Sequence, residues 1–586
     1  MGSPRSWLAP RKALYGTRHA VSAGHYLASA AGFSILESGG NAVDAGCAAG
    51  MALAVLHADE VNFAGVAPIL IRMADGRTVS IDGLGVWPRS IPADLFLREH
   101  GGQIPAGLLR TVVPAAPDAW ITALRDFGTM TFAEVARAAI GLARDGFAVF
   151  DLLADGIASR QAGYRRWPSN QAIYLPEGRP PVVGERFVQT DLAHSIQLMA
   201  DAETAAPGDR AAGLEAARAV FYDGELAELM VRHHEVNGGY LSRADLSEFR
   251  CRYEPVVSTR WRDFSVLTCG PWSQGPLLAQ ALLTLEQAGL EGLEHNSADY
   301  VHLVIEALKG AFADREHHYG DPVFVDVDLD RLLSVEHAAA RAAGIDRDRA
   351  AAGLPAALFG ASQKLPTPVD YDEVPVVGEG GGLDAGGLDV REGGTSYVCV
   401  VDQWGNAFSA TPSDGASTSP VIPGTGFVPS LRGLQSRPDP AHPSGVAPGK
   451  RPRLTPNPAL AVRDDGSVFP FGCPGGDMQV QAMLQVFLNT FHFGLELQEA
   501  VNAPRFSTWS FPNSFAPFDY LPARVFLEDR FPAPVVESLE ARGHQVRLWP
   551  AFTRDAAAVE AILRNVRTGF LESAADPRQP AGAIVA

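Results

Sequence analysis

From about residue 339 to 394 the chain carries no helical or strand periodicity. The stretch includes the run Gly378-Glu379-Gly380-Gly381-Gly382-Leu383-Asp384-Ala385-Gly386-Gly387. It constrains the fold more than any other feature, because it separates two textures. Ahead of it helical patterns dominate. Behind it, from Thr395, come short β-rich runs at 397–401, 407–411, 459–462 and 468–471, then a helix over Met478–Phe491 that could pack on them. Strands and helices come in groups rather than in strict alternation, which predicts a layered α+β architecture rather than a doubly wound sheet. At 586 residues the chain is too long for one ordinary core.

The first part follows the same grouping. A strand is predicted at 20–23 and a helix at 25–37, ended by Gly39-Gly40-Asn41, then an Ala-rich helix at 42–57 whose small side chains suit close burial. Segments 69–73 and 79–82 read as a hairpin turning at Ala74-Asp75-Gly76. Helices are expected at 117–127, 132–145, 277–286 and 297–315, with a strand at 266–269.

A formal charge of −19 argues against a nucleic-acid or anionic-membrane partner, whose footprint would be basic. Five scattered cysteines without a CxxC suggest neither a zinc ribbon nor a disulfide framework. Residues 1–12 hold no apolar signal core, and no apolar run reaches membrane-span length. The expectation is a soluble cytoplasmic protein.

Several chemistries fail on spacing. Gly270-Pro271-Trp272-Ser273-Gln274-Gly275 has one residue too many before its serine for a nucleophile elbow. A calcium loop opening at Asp326 would have Arg331 and His337 where glycine and glutamate are needed. Asp314, Glu316, His317, His318 and Asp321 lack metal-ligand spacing and read as a solvated helix end. Gly472-Cys473-Pro474-Gly475-Gly476-Asp477, between a strand and a helix, is compatible with an oxyanion hole or with a plain tight turn. Thr395, where the irregular stretch meets a strand, would become a nucleophile if the chain were cut before it, because its own α-amine could then act as base.

The chain resembles the γ-glutamyltranspeptidase family of N-terminal nucleophile hydrolases. The resemblance is carried by Ser38-Gly39-Gly40-Asn41-Ala42-Val43-Asp44-Ala45, Leu142-Ala143-Arg144-Asp145-Gly146-Phe147, Ala311-Phe312-Ala313-Asp314-Arg315 and Gly320-Asp321-Pro322. Thr395 with Val400-Val401-Asp402 and Gly405-Asn406-Ala407, Gly449-Lys450-Arg451-Pro452, Pro474-Gly475-Gly476, Asn502-Ala503-Pro504-Arg505 and Asp576-Pro577-Arg578 complete it, in order. It implies a four-layer αββα sandwich made as one precursor and cut between Gly394 and Thr395. The large subunit would be 1–394, ending in a flexible linker at about 366–394, and the small subunit 395–586, the two remaining intertwined as a heterodimer. It further implies Thr395 as nucleophile, Ser413 as the hydroxyl that orients it, and Gly475 and Gly476 as the oxyanion hole. The partners would be a small amide substrate and water or an amine as acyl acceptor, with no cofactor and no metal.

The departures bear on substrate. Leu84 stands where the family's γ-glutamyl enzymes place an arginine for the substrate carboxylate, and a neutral side chain cannot form that bidentate pair. Pro429-Ser430-Leu431-Arg432-Gly433-Leu434-Gln435 replaces the segment that supplies a carboxylate for the substrate ammonium, and Leu454 and Thr455 replace paired serines. Arg432, Arg451, Thr455 and Arg505 are candidate substrate-binding residues for a different acyl group, with structural ion pairing the alternative for each arginine. The pattern is similar to the divergent acylase-like and oxamate-hydrolysing branch. Two alternatives stay open: a true γ-glutamyltransferase or glutathione hydrolase with a rearranged pocket, and an inactive member that serves as a binding protein.

Overall fold

The computed structural model describes residues 10–369 and 394–586. The glycine run and most of the 366–394 segment lie outside them. Two seven-stranded sheets organise the molecule. One runs Gly582–Val585, Ala20–Ala23, Val398–Val401, Ala407–Ala410, Ile69–Arg72, Thr78–Ile81, Tyr253–Glu254; the other runs Leu14–Gly16, Leu571–Ala574, Glu560–Arg564, Val468–Gly472, Ala459–Arg463, Phe264–Thr268, Val257–Trp261. Neighbouring strands in both are antiparallel.

The strand that follows Thr395 explains the layering. Val398-Cys399-Val400-Val401 is apolar throughout because both of its faces are covered. Val398 and Val400 join the core beneath one helix layer, while Tyr397, Cys399 and Val401 join the core between the two sheets. The same alternation recurs in the facing sheet, where Ala459 and Ala461 meet the second helix layer and Leu460 turns toward the first sheet. The result is the αββα sandwich.

Helices Tyr26–Glu37 and Ala42–Leu56 cover the first sheet, and the second of these is buried along its whole length. Small residues on both helices permit this: a side chain at Gly46 would collide with the Phe408 ring, and one at Gly32 of the first helix with the Ala45 carbonyl. A capping box starts this helix, with Asn41 accepting from the amides of Val43 and Asp44, and Asp44 accepting from the Asn41 amide at 2.9 Å. Asp402, at the end of the Thr395 strand, accepts from the Ala42 amide at 2.9 Å and so ties strand to helix. Helices Gly275–Ala288 and Met478–Phe491 cover the second sheet, and Ala298–His318 packs on the first of them.

The acidic and histidine cluster near residue 318 is not a solvated helix end. Asp314, Glu316 and Asp321 are buried. Asp314 pairs with His337 at 2.7 Å and with Arg341; Glu316 pairs with Arg437 at 2.7 Å and Arg453 at 3.0 Å; Asp321 pairs with Arg451 at 2.8 Å. The partners of Glu316 and Asp321 come from chain beyond residue 436, which no local window contains.

Candidate active site

Thr395 sits at the entry to the central strand Val398–Val401. An antiparallel bridge pairs it with Ser413, which in turn bridges Val66. The Ser396 amide donates to the Pro412 carbonyl at 2.9 Å, and the Ser413 amide to the Val66 carbonyl at 3.0 Å, so the backbone is fixed on both sides. Gly65 allows this approach, since a side chain there would strike the Ser413 carbonyl.

Three oxygens meet at this bridge. Thr395 Oγ1 lies 2.6 Å from Ser413 Oγ and 2.7 Å from the Gly394 carbonyl oxygen, which Ser413 Oγ approaches to 2.6 Å. Arg432 Nη2 donates to the same carbonyl at 2.7 Å, and the Asp414 amide donates to it at 3.2 Å. Arg432 also donates to Ser413 Oγ. Asp414 stands 3.4 Å from the Arg432 guanidinium and is itself held by Ser430 Oγ at 2.6 Å. Its φ of +123° is one that a side-chain-bearing residue keeps only where its surroundings hold it.

A hydrogen-bond chain leads from here to the glycine pair. Arg432 Nη1 donates to Gln435 at 3.3 Å, and Gln435 Nε2 donates to Thr455 Oγ1 at 3.0 Å. Gln274 Nε2 donates to the carbonyls of Thr455 and Gly476, both at 2.9 Å. Arg315 donates to Gln274 Oε1 at 3.3 Å and pairs with Asp477, which also accepts the Ser514 hydroxyl at 2.6 Å. Gly475 and Gly476 have φ of +117° and +56° in the turn between Val468–Gly472 and Met478–Phe491. A side chain at Gly476 would press the Phe515 ring at 3.2 Å.

The three candidate arginines part company. Arg451 is taken up by Asp82 at 3.0 Å, Glu254 at 2.7 Å and Asp321 at 2.8 Å. Arg505 is taken up by Asp576 at 2.6 Å and the Ala557 carbonyl at 2.5 Å. Arg432 alone of the three bonds to Gly394 and Ser413. Thr455 reaches that cluster through Gln435. Leu84 is buried in the apolar layer between the sheets, with Trp272 and Leu454. Ser273 folds back on the Gly270 carbonyl at 2.9 Å, as a strand-to-helix turn.

On another side of Gly394 lies the Glu60 backbone, so close that a side chain on Gly394 would collide with it. Glu60 pairs with Arg554, and Asp59 with Arg160 at 3.1 Å. Burial, with the Glu60 charge, pushes Asp59 up to about 7. Burial would raise Glu60 too, but Arg554 outweighs it and holds that carboxyl below its ordinary range. Sequence reasoning missed Asp414, Gln435, Glu60 and Arg554. Asp414, next to Ser413, was the one with a local signal.

Elsewhere His302, Glu306 and His544 bring ligand-type atoms together. The two rings bond each other at 2.8 Å and Lys309 holds Glu306 at 2.7 Å, so internal partners already occupy the group. The cysteines are unbridged, and four of the five are buried.

Known proteins resemble this chain over nearly its whole length. The γ-glutamyltranspeptidase family profile matches residues 28–586. The acylase ACY 1 proenzyme of Pseudomonas sp. (strain V22) is 33% identical over 568 residues, covering 95% of this chain and 91% of that one. The solved structure of LmbA2991HD superposes with a TM-score of 0.88 at 35% identity, over 98% of this chain and 99% of that one. Cephalosporin acylase from Bacillus halodurans superposes with a TM-score of 0.83 at 27% identity, over 100% of this chain and 99% of that one.

Proposed function

The chain belongs to the γ-glutamyltranspeptidase family, and on that premise we propose that Thr395 is the nucleophile of a self-processing amidohydrolase or acyltransferase. The observation that carries this reading is the placement of Thr395 Oγ1, 2.6 Å from a second hydroxyl and on the carbonyl that precedes it. The Thr395 hydroxyl attacks the Gly394 carbonyl, an ester forms, and water hydrolyses it. The products are 1–394 and 395–586. The freed α-amine then takes the hydroxyl proton when the same oxygen attacks a substrate amide, and water or an amine releases the acyl group. Ser413 orients the nucleophile. The amides at Gly475 and Gly476 receive the negative oxygen of the substrate intermediate.

The substrate is a small acyl amide rather than a γ-glutamyl compound. Leu84 lies in an apolar layer and offers no charge to an α-carboxylate. A guanidinium, Arg432, stands in the segment expected to hold an ammonium-binding carboxylate, and a cation repels the ammonium of a γ-glutamyl group. Arg451 and Arg505, spent on internal carboxylates, act on the fold rather than on substrate.

Intact-mass measurement on purified protein tests the reading. Two fragments that meet at Gly394–Thr395 are expected, and Thr395→Ala should leave one 62.3 kDa chain without turnover. A wild-type chain that stays whole on incubation would sink it. Processed protein is then offered γ-glutamyl, oxamate-like and acyl-lactam amides. Preference for the γ-glutamyl compound would overturn the substrate assignment while leaving the nucleophile in place.

A further inference from the structure

Self-cleavage and turnover make the same electrostatic demand twice. Each time Thr395 attacks a carbonyl carbon, negative charge develops on that carbonyl's oxygen and must be met by donors. Under the reading above, the Gly475 and Gly476 amides meet it during turnover. At the Gly394 oxygen the donors are different: Arg432 Nη2 at 2.7 Å, Ser413 Oγ at 2.6 Å and the Asp414 amide at 3.2 Å.

We propose that Arg432, with Ser413 Oγ and the Asp414 amide, forms a second oxyanion site that serves only the uncut chain, so that Arg432 is a catalytic residue of maturation. The proposal rests on Thr395 being the nucleophile. In the step, Thr395 Oγ1 bonds to the Gly394 carbonyl carbon and the carbonyl electron pair moves onto the oxygen facing Arg432. Collapse returns that pair and breaks the bond to the Thr395 nitrogen, which ends with the proton the hydroxyl gave up. One water then cleaves the ester, giving the Gly394 carboxylate, a proton and the free Thr395 hydroxyl.

Arg432 suits this role physically. It is fully buried, and the surrounding medium screens its guanidinium weakly. Its direction is set by Asp414 on one side and Gln435 on the other. Asp414 balances the charge while the carbonyl is neutral. The transition state then gains an attraction that the ground state has only in part, which is the condition for rate acceleration.

The test follows loss of the intact 62.3 kDa chain by mass spectrometry from the moment of purification. Arg432→Met keeps bulk and loses the donors; it should slow self-cleavage by roughly 100- to 1,000-fold, the usual effect of losing one oxyanion donor. Arg432→Lys should fall between. In Arg432→Ala, millimolar guanidinium should recover part of the rate, while urea, similar in shape but neutral, should not. Gly476→Ala should slow turnover far more than self-cleavage. Thermal unfolding checks that each variant is folded, and if the Met variant is not, the Lys variant decides. A folded Lys or Met variant that matures at the wild-type rate overturns the proposal. So does rescue by urea as well as guanidinium, or equal slowing of both steps by Gly476→Ala. A wild-type chain not cut at Gly394–Thr395 instead removes the nucleophile assignment beneath it.

Discussion

At the residue scale, the proposed chemistry turns on how Thr395 and Ser413 share one carbonyl. A hydroxyl 2.6 Å away can relay or hold the proton that Thr395 would lose as the proposed nucleophile, so Ser413→Ala should slow both self-cleavage and turnover by about 100-fold or more, measured as the rate of chain loss and as kcat. Gly476 is constrained twice, by a φ of +56° and by the Phe515 ring. Gly476→Ala should therefore lower kcat by about 100-fold as the turn and its amides shift. Sequence could nominate Thr395 and the glycines because each lies in a short ordered motif, and Ser413 only through the resemblance. It could not rank Arg432, Arg451 and Arg505. Their partners lie up to 369 positions away, as with Arg451 and Asp82, and an arginine's role is set by which carboxylate it meets.

Among the elements, the helix Ala298–His318 carries the clearest energetic lesson. Burial alone would raise the Glu316 carboxyl, but Arg437, Arg453 and His442 hold it well below the ordinary range. A carboxyl depressed in the folded state stabilises above its unfolded pKa, near ~4.5. That stabilisation is lost as pH falls toward the folded value. Glu316→Gln leaves two buried guanidinia short of their carboxylate, so it should cost about 3–5 kcal/mol at pH 7. The gap between wild type and variant in urea unfolding should narrow below about pH 4.5. A gap independent of pH would count against this account. The helix itself was legible from its apolar spacing, within three residues at its C-terminal end. Its polar face was misread as solvated because a buried ion cluster and a wet helix end have the same local composition.

For the whole molecule, the Val398–Val401 strand is the seam between the two proposed subunits. It pairs Val400 with Val21, from before the cut, and with Phe408, from after it. The second sheet likewise joins Phe264–Thr268 to Ala459–Arg463. Cutting one peptide bond removes none of these ladders, so the fragments should co-elute as one species in gel filtration and separate only under denaturant. Separation of the fragments in native buffer would contradict this arrangement. Among the described residues no helix is long and apolar enough to cross a membrane.

The sequence by itself determined the kinds of element, the grouping of strands and helices into layers, and the ordered motifs that point to the Gly394–Thr395 junction. Those are properties of periodicity and short-range spacing. Only the tertiary structure decided that Leu14–Gly16 lies beside Leu571–Ala574, that Arg432 rather than Arg451 or Arg505 faces the Gly394 carbonyl, and that Glu316 is buried among arginines. The reason is physical. Strand order and ion pairing are settled by contacts between distant segments, whose free energy appears only once the layers have closed around them.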